Sequence, residues 1–422
     1  MGEKMIATVR PARRLEGEIA VPGDKSISHR ALILGAIASS QSQVRGLSPG
    51  ADVGSTASCI RALGVEVDGS RIWGVGLEGL RKASTPLDCG NSGTTMRLLA
   101  GLLAAQPFAS ELVGDESLTK RPMDRVVVPL REMGAAAAWP PLRVGGRAPL
   151  HGFEFAPPVP SAQVKSALLL AGLFAEGATT VAESVRTHDH TEVMLAAMGA
   201  AVVVDGMRVS VSRPASLHPL DIDVPGDFSA AAFWLAAAAL TRSSRVRLLG
   251  VGVNPTRTAF ADTLAAVGLE VRRLRPRFAA NEPVADLEAV PAAVSRPLRV
   301  AGAAAAAMID ELPVLAVVAT QLPGESVISA AGELRVKESD RIDAMAEGLG
   351  AMGADIEVAD DGWVIRGPRH LEGARVDSRG DHRVAMALAV AALIADGRTE
   401  IEGAECVDIS YPEFFDHLEY LA

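Results

Sequence analysis

Aromatic side chains are scarce, at 4% of 422 residues, so platforms on which bases or sugars could stack are few. Cysteine is scarcer still. Cys59, Cys89 and Cys406 are widely spaced and make neither a disulfide framework nor a CxxC metal pair, which fits a reducing cytosol. No run of five basic residues occurs and the formal net charge is −10, which argues against nucleic acid or an anionic membrane as a partner. The stretch from Met1 to Arg10 carries Glu3, Lys4 and Arg10 and lacks the apolar core of a signal peptide. Ala303 to Thr320 is interrupted by Asp310 and Glu311, and Ala230 to Leu240 is too short to cross a bilayer. A soluble, unprocessed, cytoplasmic protein is expected. Lysine is also rare: six, at positions 4, 25, 82, 120, 165 and 337, among 41 basic residues. A GC-rich coding bias is the plain explanation. Against that background, Lys25 and Lys337 inside motifs are candidates for compact ammonium groups that arginine cannot replace.

What is present is apolar and periodic. At 49% hydrophobic residues, the chain can bury a large core and form about two to three domains. One kind of segment runs into a hydrophobic-x-x-hydrophobic-Gly step at Gly64, Gly134, Gly199, Gly268 and Gly353, a helix stop feeding a strand. A more apolar kind interleaves with it, anchored at Val44, Leu112, Val181, Val246, Ile328 and Ile401. The spacing predicts six units of about 70 residues, each with two helices and several short strands. The apolar helices should be buried and the amphipathic ones should cover them. Strands alternating with helices make this an α/β protein. Arg272 to Arg299 reads as an inserted surface hairpin or loop, and the six units divide most simply three and three.

Dense polar clusters stand just ahead of these helices: Pro22 to Arg30, Gly90 to Arg97, Thr119 to Pro122, Ser161 to Ser166, Arg186 to Glu192, Gly226 to Ser229, Ile309 to Glu311, Arg335 to Arg341 and Gly380 to Arg383. Helix N-termini offer free N–H donors and a partial positive charge suited to anions. Ser, Thr, Asp and Asn there read first as N-caps. Caps do not explain Lys25, Arg30, Arg97, Lys165, Lys337, Arg341 and Arg383, which as first-turn cations would oppose the helix dipole and call for an anion. Lys337 and Arg341, at i and i+4, would share a helical face and grip one anion, while Glu338 and Arg341 could equally be a weak surface pair. Asn91 to Thr94 has the make-up of a backbone anion nest. His188 and His190 would point the same way on a strand, and capping or substrate contact is favoured there over a metal. The cysteines read as packed small residues.

The motifs PGDKSISHRA, GNSGTTMR, GDESLTKRPM, SAQVKSALLLAG, DHTEVM, VPGDFSAAAF, RVKESDR and DHRVAM, in order along essentially the whole chain, closely resemble those of the 5-enolpyruvylshikimate-3-phosphate (EPSP) synthase family. The resemblance implies an inside-out α/β barrel of two domains, each with three βαβαββ units, and an active site in the interdomain cleft. It places a continuous domain at 23–225 and a discontinuous one at 1–22 with 226–422, with closure on binding the first substrate. The implied reaction moves the enolpyruvyl group of phosphoenolpyruvate to the 5-hydroxyl of shikimate 3-phosphate through a tetrahedral intermediate, with no metal or organic cofactor. The implied shikimate 3-phosphate contacts are Lys25, Ser26, Arg30, Ser161, Ala162, Gln163, Asp310 and Lys337. For phosphoenolpyruvate they are Lys25, Gly93, Arg121, Gln163, Arg341 and Arg383. Asp310 resembles the acceptor of the 5-hydroxyl proton, and Glu338, with Lys25, completes the catalytic set.

The chain departs from the family's pattern in two places. His188 stands where many relatives have Arg before DHTE, with Arg186 a possible substitute, and Ile409 stands where some have Lys. Gly93 takes the place of the Ala found in herbicide-tolerant members, so inhibition by glyphosate is expected. The nearest rival, UDP-N-acetylglucosamine enolpyruvyl transferase, has Lys-Asn where Lys25-Ser26 stands and uses a loop cysteine with no counterpart here. A non-catalytic anion-binding scaffold would favour losing the carboxylates of Asp310 and Glu338. Small anions are the expected partners, and a monomer is the expected state.

Overall fold

The computed structural model describes residues 5–146, 149–290 and 296–422. The chain divides into two compact units: Met1–Pro22, Pro225–Arg277 and Pro283–Ala422 form one, and Gly23–Val224 with Phe278–Glu282 form the other. Residues 1–4 of the expected discontinuous domain lie outside the described residues. So do 147–148 of the continuous one and 291–295 of the expected insertion. The expectation of an insertion needs correction: Glu270–Ala279 and Glu282–Val290 are two strands of a four-stranded sheet in which Glu282–Val290 pairs antiparallel with Arg245–Gly252, as the repeat requires, and Arg299–Val300 pairs parallel with Gly324–Ile328 in another sheet.

One plan repeats. In the Gly23–Val224 unit, Leu87–Asp88 leads into the helix Gly93–Leu103, then Ala109–Val113, the helix Asp124–Glu132 and the strands Ala137–Ala138 and Leu142–Gly145. The first strand pairs parallel with Ala109–Val113, which pairs antiparallel with Leu142–Gly145. Glu154–Phe155, Thr179–Ala182, Arg208–Val211 and Val202–Asp205 repeat this order. In the third sheet the parallel strand comes from the unit's far end, where Asp221–Asp223 pairs with Gln41–Arg45. The other unit follows the same rule. Glu16–Ile19 supplies the parallel partner of Arg245–Gly252, and Ile6–Val9 pairs antiparallel with Thr399–Glu402, so residues from the start of the chain complete two of its three sheets.

The apolar helices are buried, as their composition requires. In Phe228–Leu240 every residue from Phe228 to Ala239 is buried. Small residues let such helices approach closely: a Cβ on Gly101 of Gly93–Leu103 would lie 2.1 Å from the carbonyl oxygen of Ala167 in Ala162–Gly172. Each unit has its own core, one around Trp234, Phe233 and Phe414 and the other around Leu99, Leu168 and Ile60. Ile409 packs against the first. No helix among the described residues is long and apolar enough to cross a membrane.

One buried histidine yields a pH prediction. His29 Nδ1 lies 2.7 Å from Thr56 Oγ1, while Nε2 has no partner among the described residues. Burial, aided by Lys25 and Arg30, holds its pKa well below the ordinary 6.5. Above about pH 6.5 neither the folded nor the unfolded chain holds this proton, and there is no cost. Below it the unfolded chain takes a proton that the folded chain refuses, so stability falls by about 1.4 kcal/mol per pH unit until the folded pKa is reached. Denaturant unfolding between pH 7.5 and 5.5 should show this fall in the wild type and lose that share of it in His29→Gln. Parallel curves for the two proteins would contradict it.

Candidate active site

In the Gly23–Val224 unit, caps set the site. Asp24 accepts from Ile27 N at 2.8 Å and starts the helix Lys25–Ala36, and Lys25 Nζ then meets Asp52 Oδ2 at 3.0 Å. Ser161 caps Ala162–Gly172, which puts Ala162 and Gln163 in its first turn. Gln163 accepts from Arg97 Nη1 at 2.6 Å and donates to Thr94 Oγ1 at 2.8 Å. Ser92 caps Gly93–Leu103. A Cβ on Gly93 would lie 2.7 Å from Arg97 Nη1 and 3.3 Å from Arg121 Nη1, while Arg121 Nη2 donates to Asn91 Oδ1 at 2.7 Å. Gly93, Arg121 and Gln163 are thus gathered around one guanidinium that the expected contacts omitted, Arg97. Its signal was present in the GNSGTTMR cluster. Asp52, the partner of Lys25, had no such signal.

Several first-turn expectations need correction. Arg30 and Arg97 lie beyond the first turns of their helices. Arg30 is 3% exposed and donates to Thr191 Oγ1 at 2.7 Å, Ser166 Oγ at 2.6 Å and Ser26 O at 2.9 Å, bracing three helix starts. Lys165 already has its anions, Glu183 at 3.0 Å and Glu192 at 2.7 Å, with all three side chains largely enclosed. Burial pushes Glu192 upward despite Lys165. The two histidines do not share a strand, because His190 opens the helix His190–Ala197. The His190 ring lies 2.7 Å from Glu282 Oε1 and 6.1 Å, centre to centre, from that of His188. Arg186 donates to the Gly206 carbonyl.

The other unit holds a second cluster. Arg341 is 1% exposed and grips three carboxylates: Nε to Asp381 Oδ2 at 2.8 Å, Nη2 to Glu338 Oε2 at 2.6 Å and Nη1 to Asp310 Oδ1 at 3.1 Å. Burial opposes its charge, but the carboxylates outweigh burial and its pKa is raised. Lys337 Nζ lies 3.5 Å from Asp310 Oδ1. Arg383 lies 3.6 Å from Asp310 Oδ2 and donates to the Asp310 carbonyl at 3.1 Å. Lys337 and Arg341 therefore converge on one carboxylate, but not from a shared helical face. Asp340 caps Arg341–Ala351, and Lys337 precedes it in extended backbone. Nor is Glu338 to Arg341 a surface pair, since both side chains are largely enclosed. Asp381, buried and capping His382–Leu393, accepts from Arg383 N at 2.9 Å and from Ser339 Oγ at 3.2 Å. It orients the Arg341 guanidinium, a role the sequence did not reveal, and caps the helix that carries Arg383.

The family model for EPSP synthase (3-phosphoshikimate 1-carboxyvinyltransferase) matches residues 9–418. The chain is 53% identical to the 3-phosphoshikimate 1-carboxyvinyltransferase of Gloeobacter violaceus, over 97% of this chain and 98% of that one. It is 49% identical to that of Geobacillus kaustophilus, over 96% and 98%. A solved EPSP synthase from Acinetobacter baumannii superposes with a TM-score of 0.88 at 39% identity, covering 99% of this chain and 98% of that one. With a family model that matches nearly every residue and relatives about half identical over almost their whole length, the chain belongs to the EPSP synthase family.

Proposed function

We infer that this chain transfers the enolpyruvyl group of phosphoenolpyruvate to the 5-hydroxyl of shikimate 3-phosphate, releasing phosphate. The carrying observation is Asp310, a carboxylate ringed by Lys337, Arg341 and Arg383 in a chain of this family. A cationic surround keeps a carboxylate ionised and able to take a proton. Asp310 takes the 5-hydroxyl proton as that oxygen bonds to C2 of phosphoenolpyruvate, and C3 gains a proton to become a methyl group. The methyl group then loses a proton and the C2–O bond to phosphate breaks, restoring the double bond. Glu338, with Lys25, serves the proton transfers at C3. Arg341 and Arg383 hold phosphoenolpyruvate with Arg121, Gln163 and Gly93. Lys25, Ser26, Arg30, Ser161, Ala162, Gln163 and Lys337 hold shikimate 3-phosphate. Incubation with both substrates should yield a product in which the three enolpyruvyl carbons are ether-linked at position 5, read by carbon NMR. An unchanged shikimate 3-phosphate spectrum would refute the assignment.

Burial of Cys59, Cys89 and Cys406 supports this over the cysteine-dependent rival, and burial pushes the Cys406 thiol up to about 12. Free thiols also support a reducing, cytoplasmic setting, where the chain would work as a monomer.

Gly93 supplies a further test. A methyl group there would press on Arg97 and Arg121. Gly93→Ala is expected to weaken phosphoenolpyruvate binding by about 1–2 kcal/mol, roughly 5- to 30-fold in KM, and to relieve glyphosate inhibition of the wild type. An unchanged KM, or wild-type turnover unaffected by glyphosate, would contradict this.

A further inference from the structure

Beside Asp310 lies a carboxyl that the proton transfers leave unused. Glu311 is 2% exposed, and its Oε1 accepts from Ser229 Oγ. The Ser229 hydroxyl accepts in turn from Arg257 Nη2 at 2.8 Å, and that nitrogen lies 3.3 Å from Asp227 Oδ1. Asp227 is tied to the backbone by accepting from Ser229 N at 2.7 Å. Glu311 is fixed by its own main chain, its N–H donating to Met308 O and its carbonyl accepting from Leu315 N, both at 2.9 Å. All four members of this line are buried. Capping the helix Phe228–Leu240 requires only Asp227, so the remaining groups need another reason to be there. A carboxyl buried at this depth carries a large desolvation cost that packing alone does not explain.

We infer that Glu311, braced by Ser229 and Arg257, is a positioning residue that fixes the Asp310 main chain and, through its charge, sets how tightly the Asp310 carboxylate takes up a proton. This rests on the enolpyruvyl-transfer reading above. Arg257, which also meets Asp227, acts on Glu311 from beside the helix Phe228–Leu240, Arg383 from His382–Leu393, and Asp310 from its own turn. Lys337, Arg341 and Arg383 face Asp310, with Glu338 and Asp381 bound to Arg341. Four cations thus meet five carboxyls, and the protonation of Glu311 decides the balance. Burial pushes Glu311 upward, against the pull of Arg257 and Arg383. When ionised, it is a negative neighbour that makes Asp310 a stronger base, and when protonated it is not.

The test is kcat and both KM values against pH for the wild type, Glu311→Gln, Ser229→Ala and the double variant. Glutamine keeps the volume and the acceptor for Ser229 but removes the charge. For Glu311→Gln, kcat should fall by about 3- to 30-fold, with both KM values within about twofold and the acid limb moved to lower pH by roughly half a unit or more. Ser229→Ala should move kcat and the acid limb the same way, and the double variant should be no worse than Glu311→Gln. A pH profile coincident with the wild type in either single variant overturns the inference, whatever the change in kcat. If Glu311→Gln does not fold, Ser229→Ala alone decides. Absence of turnover in the wild type would instead count against the enolpyruvyl-transfer reading.

Discussion

Asp310→Asn is expected to lower kcat by about 10²- to 10⁴-fold while leaving the concentration requirement for either substrate within a few-fold. Asparagine has nearly the same shape, and its side-chain oxygen can still accept from Arg341, which meets Asp310 at 3.1 Å in the wild type. What is lost is the ability to take a proton from the 5-hydroxyl, and that need arises only as the hydroxyl attacks. A loss confined to the transition state appears in kcat. Arg383→Ala makes the contrast. Arg383 is assigned to phosphoenolpyruvate, so its removal should chiefly raise the KM for that substrate. Steady-state kinetics on the two variants separate the roles. A dominant KM effect in Asp310→Asn, with a pure kcat effect in Arg383→Ala, would overturn both.

Arg341→Met is expected to cost about 3–5 kcal/mol of stability. One buried guanidinium serves Asp381, Glu338 and Asp310, and methionine fills much of its volume but none of its charge. The cost comes from the carboxylates left behind: Asp381 is 0% exposed and cannot turn to water. Lysine at the same position carries the charge but lacks the planar fork that reaches three partners, so Arg341→Lys should fall between wild type and Arg341→Met. Denaturant midpoints for the three proteins measure this. An Arg341→Met protein as stable as the wild type would mean that the carboxylates do not depend on this guanidinium.

Much of this was legible in the sequence, and the reasons are local. Gly64, Gly134, Gly199, Gly268 and Gly353 marked helix ends, and all five adopt φ between 84° and 99°, where a side chain is strained. Asp24, Ser92, Ser161, Asp227 and Asp381 were readable as caps and act as caps. The closing strands were not legible. Leu87–Asp88 is too short to show alternation, and Glu16–Ile19 finds its partner in Arg245–Leu248, far along the chain. The Lys337 error was also local. Asp340, a good cap, lies inside the RVKESDR cluster, so the helix begins at Arg341 and leaves Lys337 outside it. For Lys165 the sequence showed a cation needing an anion, but that Glu183 and Glu192 supply it is a tertiary fact.

The central claim is that this chain moves an enolpyruvyl group onto shikimate 3-phosphate and expels phosphate. Release of inorganic phosphate from phosphoenolpyruvate, followed with and without shikimate 3-phosphate, tests it directly. The expected result is release that requires the acceptor and matches it mole for mole. No release in its presence, or release at the same rate without it, would contradict the account.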